Sequence, residues 1–143
     1  MQLTTRKTCL ERAAIVTSVT GVIVALAAFP ATALPARLLS DLIYWPFDGA
    51  QSLAAPETRL LAAIGGGVMA GWGLMMWALV RKLFIREPAA VKSVMTSGLV
   101  AWFAVDSGFS VLAGAPLNVA FNAAFLALFL VPLRGEIASE VHI

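Results

Sequence analysis

The chain has 143 residues, of which 60% are hydrophobic and only 13% charged, with a mean hydropathy of +0.89. A soluble domain carries roughly 25% charged residues, so this composition leaves too little polar surface to cover a globule in water and makes lipid the expected solvent. The net charge of +2 does not point to nucleic acid, because the basic residues flank apolar blocks and form no stripe with interleaved aromatics.

Four apolar blocks have the length of a spanning helix, about 20 residues. They cover residues 13–33, 60–80, 93–114 and 116–133. The second is uncharged, and the third holds one charge, Asp106. In hydrocarbon each block must pair its own backbone groups, so each is expected to be helical. The alternating ten-residue segments of a membrane β-barrel are missing. The expected fold is all-α: a single membrane domain built as an up-down four-helix bundle.

Before the first block stand Arg6, Lys7 and Arg12. Arg81, Lys82, Arg86 and Lys92 separate blocks two and three, and Arg134 follows block four. Only Arg37 and Arg59 fall on the opposite side, which puts both termini in the cytoplasm of a bacterial inner membrane. Arg6 to Arg12, the apolar run and Ala31-Thr32-Ala33 also fit a cleavable signal peptide, which would leave three spans. Glu11 and the length of the run favour a retained anchor. Cys9, the one cysteine, has no intrachain disulfide partner.

The long loop after block one is the least lipid-like stretch. Residues 36–44 place Leu38, Leu39, Leu42 and Ile43 at helical spacing opposite Arg37, Ser40 and Asp41, as in a short interfacial helix. Tyr44, Trp45 and Phe47 follow as an aromatic belt would. Pro46 and Asp48-Gly49 make a turn. Thr58 is the expected N-cap of the second span.

Small residues recur every four positions: Ala13, Thr17, Gly21 and Ala25 in block one, and Ala63, Gly67 and Gly71 beside Gly65-Gly66-Gly67 in block two. This spacing keeps them on one face, for packing inside the bundle or for a homo-oligomer or membrane partner protein.

Asp106 lies eight residues before Gly114, so about 12 Å deep. A charge at that depth is costly and must face the bundle interior with partners. Counting outward from the turn near Gly114 sets Asp106 level with Asn122 and Ser110 level with Asn118. With Ser107 these form a polar intramembrane cluster, and Arg59 is a counter-ion candidate by snorkelling. Two readings stand side by side: a proton or ligand site, and a hydrogen-bonded clasp between helices three and four.

No metal or cofactor is expected. His142 is the only histidine and nearly terminal, and no His/Cys cluster occurs. Gly65-Gly66-Gly67 sits inside a span and not after a strand, so it is no phosphate loop. Asp41, Asp48 and Glu57 read as solvated loop acids.

The segments WPFDG (45–49), RLLAAIGGGVMAGWG (59–73), AWFAVDS (101–107) and LAGAPLNVAFN (112–122) resemble a set of small bacterial four-span inner-membrane proteins. The size and span count are also similar to the DoxX-like small membrane proteins. The resemblance implies a compact four-helix inner-membrane domain and supplies no activity, cofactor or catalytic residue. The expected function is therefore non-enzymatic: an accessory subunit, or a binder of a small hydrophobic or lipid-like ligand. The alternatives are a small proton-coupled transporter using Asp106 and a membrane enzyme with a bound quinone-type cofactor.

Overall fold

The computed structural model describes residues 1–135. His142 and the rest of the C-terminal tail lie outside them. Five α-helices follow one another: α1 (Leu3–Ala25), α2 (Leu34–Ile43), α3 (Pro56–Leu83), α4 (Pro88–Leu112) and α5 (Leu117–Leu133), with 3-10 turns at Leu26–Ala28 and Pro30–Thr32. There is no strand among the described residues. α1 with its first 3-10 turn, α3 and α4 are each long and apolar enough to cross a membrane. α5, at 17 residues, is shorter.

The boundaries differ from the apolar blocks for local reasons. α1 begins at Leu3, ten residues before the apolar run, because the charged segment is itself helix-forming and is braced by a Lys7–Glu11 pair at 3.2 Å. Its α-helical part stops at Ala25 and not near Ala33. Pro30 offers no N–H and would crowd the Leu26 carbonyl, so the chain continues in 3-10 turns. α3 starts at Pro56, whose fixed φ suits the first turn; Thr58 is thus already inside the helix and caps nothing. Glu57 in the first turn of α3 and Arg81 and Lys82 in its last complement the helix dipole. Gly114, at φ +79°, reverses the chain between α4 and α5 in the left-handed conformation that glycine tolerates.

The helices meet tightly at the end of the molecule that carries both described termini. Leu10 and Ala14 of α1, Met76, Val80 and Phe84 of α3, Val91, Met95 and Leu99 of α4, and Phe129 and Leu133 of α5 form one apolar core there. Arg6 fastens this end. Its guanidinium donates to the carbonyls of Pro132 (3.0 Å) and Arg134, which are otherwise orphaned at the C-terminus of α5. Lys92 donates to the Gly135 carbonyl at 2.7 Å. At the opposite end a second, small-residue core joins Ala27, Ala33 and Ala36, with Leu53 and Ala62 against it.

α1 and α3 approach almost backbone to backbone. A Cβ on Gly21 would come within 2.7 Å of the Gly66 carbonyl oxygen, and one on Gly66 within 2.5 Å of the Gly21 carbonyl oxygen. A Cβ on Gly73 would meet the Ala14 carbonyl oxygen at 2.7 Å. Ser18 adds a hydrogen bond across the seam to the Ala70 carbonyl, at 3.0 Å. Gly65, Gly67 and Gly71 are not in this contact, since a Cβ on any of them would meet nothing within 4 Å. The Gly67–Gly71 spacing of four therefore does not mark the packed face. Gly66 and Gly73, seven apart, share a face with Met76 and Val80, while Gly67 and Gly71 lie about 100° and 140° around the helix from Gly66.

Candidate functional site

Helix α4 turns its Pro88, Val91, Met95 and Leu99 face inward, and continuing that face by whole turns reaches Trp102, Asp106 and Ser107. The four-residue connection forces α5 back alongside α4. Asn118 and Asn122, four apart, then project from one face of α5 at the depth of Ser110 and Asp106. The structure brings all five polar residues together.

Asp106 Oδ1 accepts three hydrogen bonds: from Asn122 Nδ2 at 2.7 Å, Asn118 Nδ2 at 2.8 Å and Ser110 Oγ at 3.2 Å. Asn118 Nδ2 also donates to Ser110 Oγ at 2.8 Å, and Asn122 Nδ2 to Ser107 Oγ at 3.1 Å. Ser107 and Asn122 are buried, while Asp106, Ser110 and Asn118 are half-buried. Both amide N–H bonds of each asparagine are thus in use, as is the Ser110 hydroxyl proton. The acceptors are not used up. Asp106 Oδ2 receives no hydrogen bond among the described residues, and it is not fully buried, since no buried side-chain oxygen is left unpaired. The cluster has spent its amide donors on itself and keeps a carboxylate oxygen to offer.

One turn from Asp106 towards the apolar core, Trp102 packs against Trp72 of α3, with ring centroids 5.8 Å apart and planes inclined by 48°. This pair ties the α4–α5 hairpin to α3 beside the cluster. Arg59 does not complete the site. The one ion pair among the described residues is Lys7–Glu11, so no counter-ion lies within 4.0 Å of Asp106. The snorkelling reading fails on position, because Arg59 sits only three residues into α3, beyond the level at which α4 carries Asp106.

Asp41 plays a part that its place on the polar side of α2 did not reveal. It is 3% exposed, and both carboxylate oxygens accept the Gly49 N–H, at 3.0 and 2.9 Å. The loop folds back over it and presents Trp45 and Phe47, 63% and 54% exposed. Asp48 caps its own turn by accepting the Ala50 N–H at 3.0 Å. Leu34, Leu38 and Leu42 form an exposed stripe on α2, opposite the buried Ala36.

Two grooves are large. One, of about 480 Å³, runs between α1 and α5 and is almost wholly apolar. The other, of about 410 Å³, lies along α4 beside Lys92, Ser93, Thr96 and Ser97. Neither is lined by a residue of the Asp106 cluster. Among the described residues no group of three His, Cys, Asp or Glu side chains could hold a metal ion. No family model, curated protein or solved structure matches the chain.

Proposed function

We propose that the chain is a four-span protein of the bacterial inner membrane, with both termini cytoplasmic, that binds a small lipid-like ligand through Asp106. Three helices of spanning length support the membrane reading. α5 joins them as a fourth span because 17 residues lie at the short limit for crossing the hydrocarbon. The exposed leucines of α2 and the exposed Trp45 and Phe47 suit an element lying at the outer interface.

The observation that carries the ligand reading is the imbalance in the cluster: Asp106 Oδ1 takes three donors and Oδ2 takes none. A clasp serving only to join α4 and α5 has no use for a reachable carboxylate oxygen in a low-dielectric setting. A ligand that donates a hydrogen bond, such as an amine or hydroxyl on an apolar tail, fits that atom. One that brings its own anion does not. Trp102 supplies the readout. Titrating the purified chain with dodecylamine, dodecanol and dodecanoate should quench or shift tryptophan fluorescence for the first two only. Asp106→Asn should weaken the amine by about tenfold or more, the worth of a charged hydrogen bond. Equal binding of all three amphiphiles, or an Asn variant that binds amine like the wild type, overturns the reading. The same free oxygen would serve a proton-coupled carrier. That reading requires proton flux in proteoliposomes that is lost in Asp106→Asn.

A further inference from the structure

The groove between α1 and α5 exists because both helices carry small residues where they face each other. Ala13 on α1 and Ala124 and Ala127 on α5 line it, with Val16 and Leu128 as walls, and about 480 Å³ stays open. The groove opens to its surroundings, and apolar walls left without neighbours forfeit dispersion contacts. In a chain that spans the membrane, a groove this apolar suits hydrocarbon.

Its one charged lining side chain is that of Arg12. The other cationic side chains nearby are engaged: Arg6 on the carbonyls of Pro132 and Arg134, and Lys7 on Glu11. Arg12 is exposed and forms no hydrogen bond or ion pair among the described residues. The depths also match. Arg6 marks the level at which α5 ends, and Arg12 follows six residues on, about 9 Å further along α1. An arginine at that depth reaches back towards the headgroups along its own stem. The groove runs on past it towards Val16 and Ala124. A cation near headgroup level with an apolar channel leading inward is complementary to a phosphodiester with an acyl chain attached.

We infer that this groove is a binding site for an anionic phospholipid of the cytoplasmic leaflet, with the phosphate on Arg12 and one acyl chain against Ala13, Ala124 and Ala127. This rests on the reading that the chain spans the membrane with its N-terminus inside. The guanidinium gives the phosphate a two-point contact. Basic pockets between helices on the cytoplasmic side recognise acidic headgroups in this way.

The test uses the full chain, first extracted from membranes with alkaline carbonate and then, from the pellet, purified in mild detergent. Native mass spectrometry follows, with added phosphatidylglycerol or phosphatidylcholine of identical chains. The wild type should bind one phosphatidylglycerol about five- to tenfold more tightly than phosphatidylcholine. Arg12→Gln should bring that ratio to about one while still binding lipid. Ala127→Leu, which fills the groove and leaves the charge, should weaken both lipids. Equal affinities in the wild type, or a preference that survives Arg12→Gln, overturn the proposal. A chain released into the carbonate supernatant would instead overturn the spanning reading, and the groove with it.

Discussion

Between α1 and α3 two helices meet through glycine, with Gly21 against Gly66 and Ala70, and Gly73 against Ala14 and Ser18. Between α4 and α5, at the end away from the termini, the helices meet through Asp106, Ser107, Ser110, Asn118 and Asn122. The first contact depends on shape. It tolerates no added atom and leaves no polar group free, because its backbone groups are paired within each helix and the Ser18 hydroxyl is given to the Ala70 carbonyl. The second depends on hydrogen bonds of defined direction, and it leaves one acceptor free. In lipid, apolar side chains gain little by leaving their solvent for one another, so close approach and polar pairing are the two available ways to hold helices together. This molecule uses one on each side, and only the polar seam keeps an acceptor atom free.

The largest effect should come from breaking the shape-dependent seam. Gly66→Leu puts a side chain where Ala25 and the Gly21 carbonyl already stand, so α1 and α3 must separate. A cost of about 3 kcal/mol or more is expected, at the upper end for overpacking. It would be read as loss of a monodisperse, thermally stable protein in detergent. Gly67→Leu, one residue away, should be close to neutral, because nothing lies within 4 Å of its Cβ position. If the two variants behave alike, the glycine seam is misplaced.

Next comes the polar seam. Asp106→Leu removes the shared acceptor of Asn118, Asn122 and Ser110. Leaving those donors unpaired should cost about 1–3 kcal/mol in thermal or denaturant unfolding. Asp106→Asn keeps a carbonyl oxygen for the same donors and should cost less than about 1 kcal/mol. Stability and binding should therefore part company: Leu loses both, and Asn loses ligand binding alone. A fully destabilised Asn variant would show that the charge, and not the acceptor, holds the hairpin.

Smaller again is Arg6→Ala. It removes the two bonds that tie α1 to the end of α5, with a loss of about 1 kcal/mol for a partly solvated guanidinium. Amide exchange should accelerate in the last turn of α5 and leave the Asp106 end unchanged.

These contrasts also mark what the sequence alone could carry. The depth of Asp106 and its levelling with Asn122 were legible because a four-residue turn leaves α5 one place to go. The packed face of α3 was not. Three consecutive glycines at 65–67 offer three faces, and the four-residue rule picked Gly67 and Gly71, whereas the face is set by distant partners in α1 and by Met76 and Val80 below it. Arg6 reads as a topology signal from its neighbours, and its carbonyl partner is 126 residues away. The apolar blocks show where lipid suits the chain. They could not show that α1 extends back to Leu3, because helix continuity through a charged segment depends on propensity and pairing and not on hydropathy.

The smallest effect on overall stability, and the most local, is expected at Asp41. α2 exposes Leu34, Leu38 and Leu42, and beside them buries Asp41 under the loop that follows, where its carboxylate holds the Gly49 N–H through both oxygens. This single tie closes an eight-residue span and sets the stretch that presents Trp45 and Phe47. Asp41→Asn keeps one oxygen for Gly49 and should leave the loop in place. Asp41→Ala removes the tie without touching either helix seam, so global unfolding should shift by no more than about 1 kcal/mol. The loop itself should loosen, with faster proteolysis between Tyr44 and Ala55 and weaker quenching of Trp45 by brominated lipid. If Ala and Asn variants are cleaved at the wild-type rate, the loop is held by its own turn at Asp48 and Gly49, and the Asp41 contact adds nothing to it.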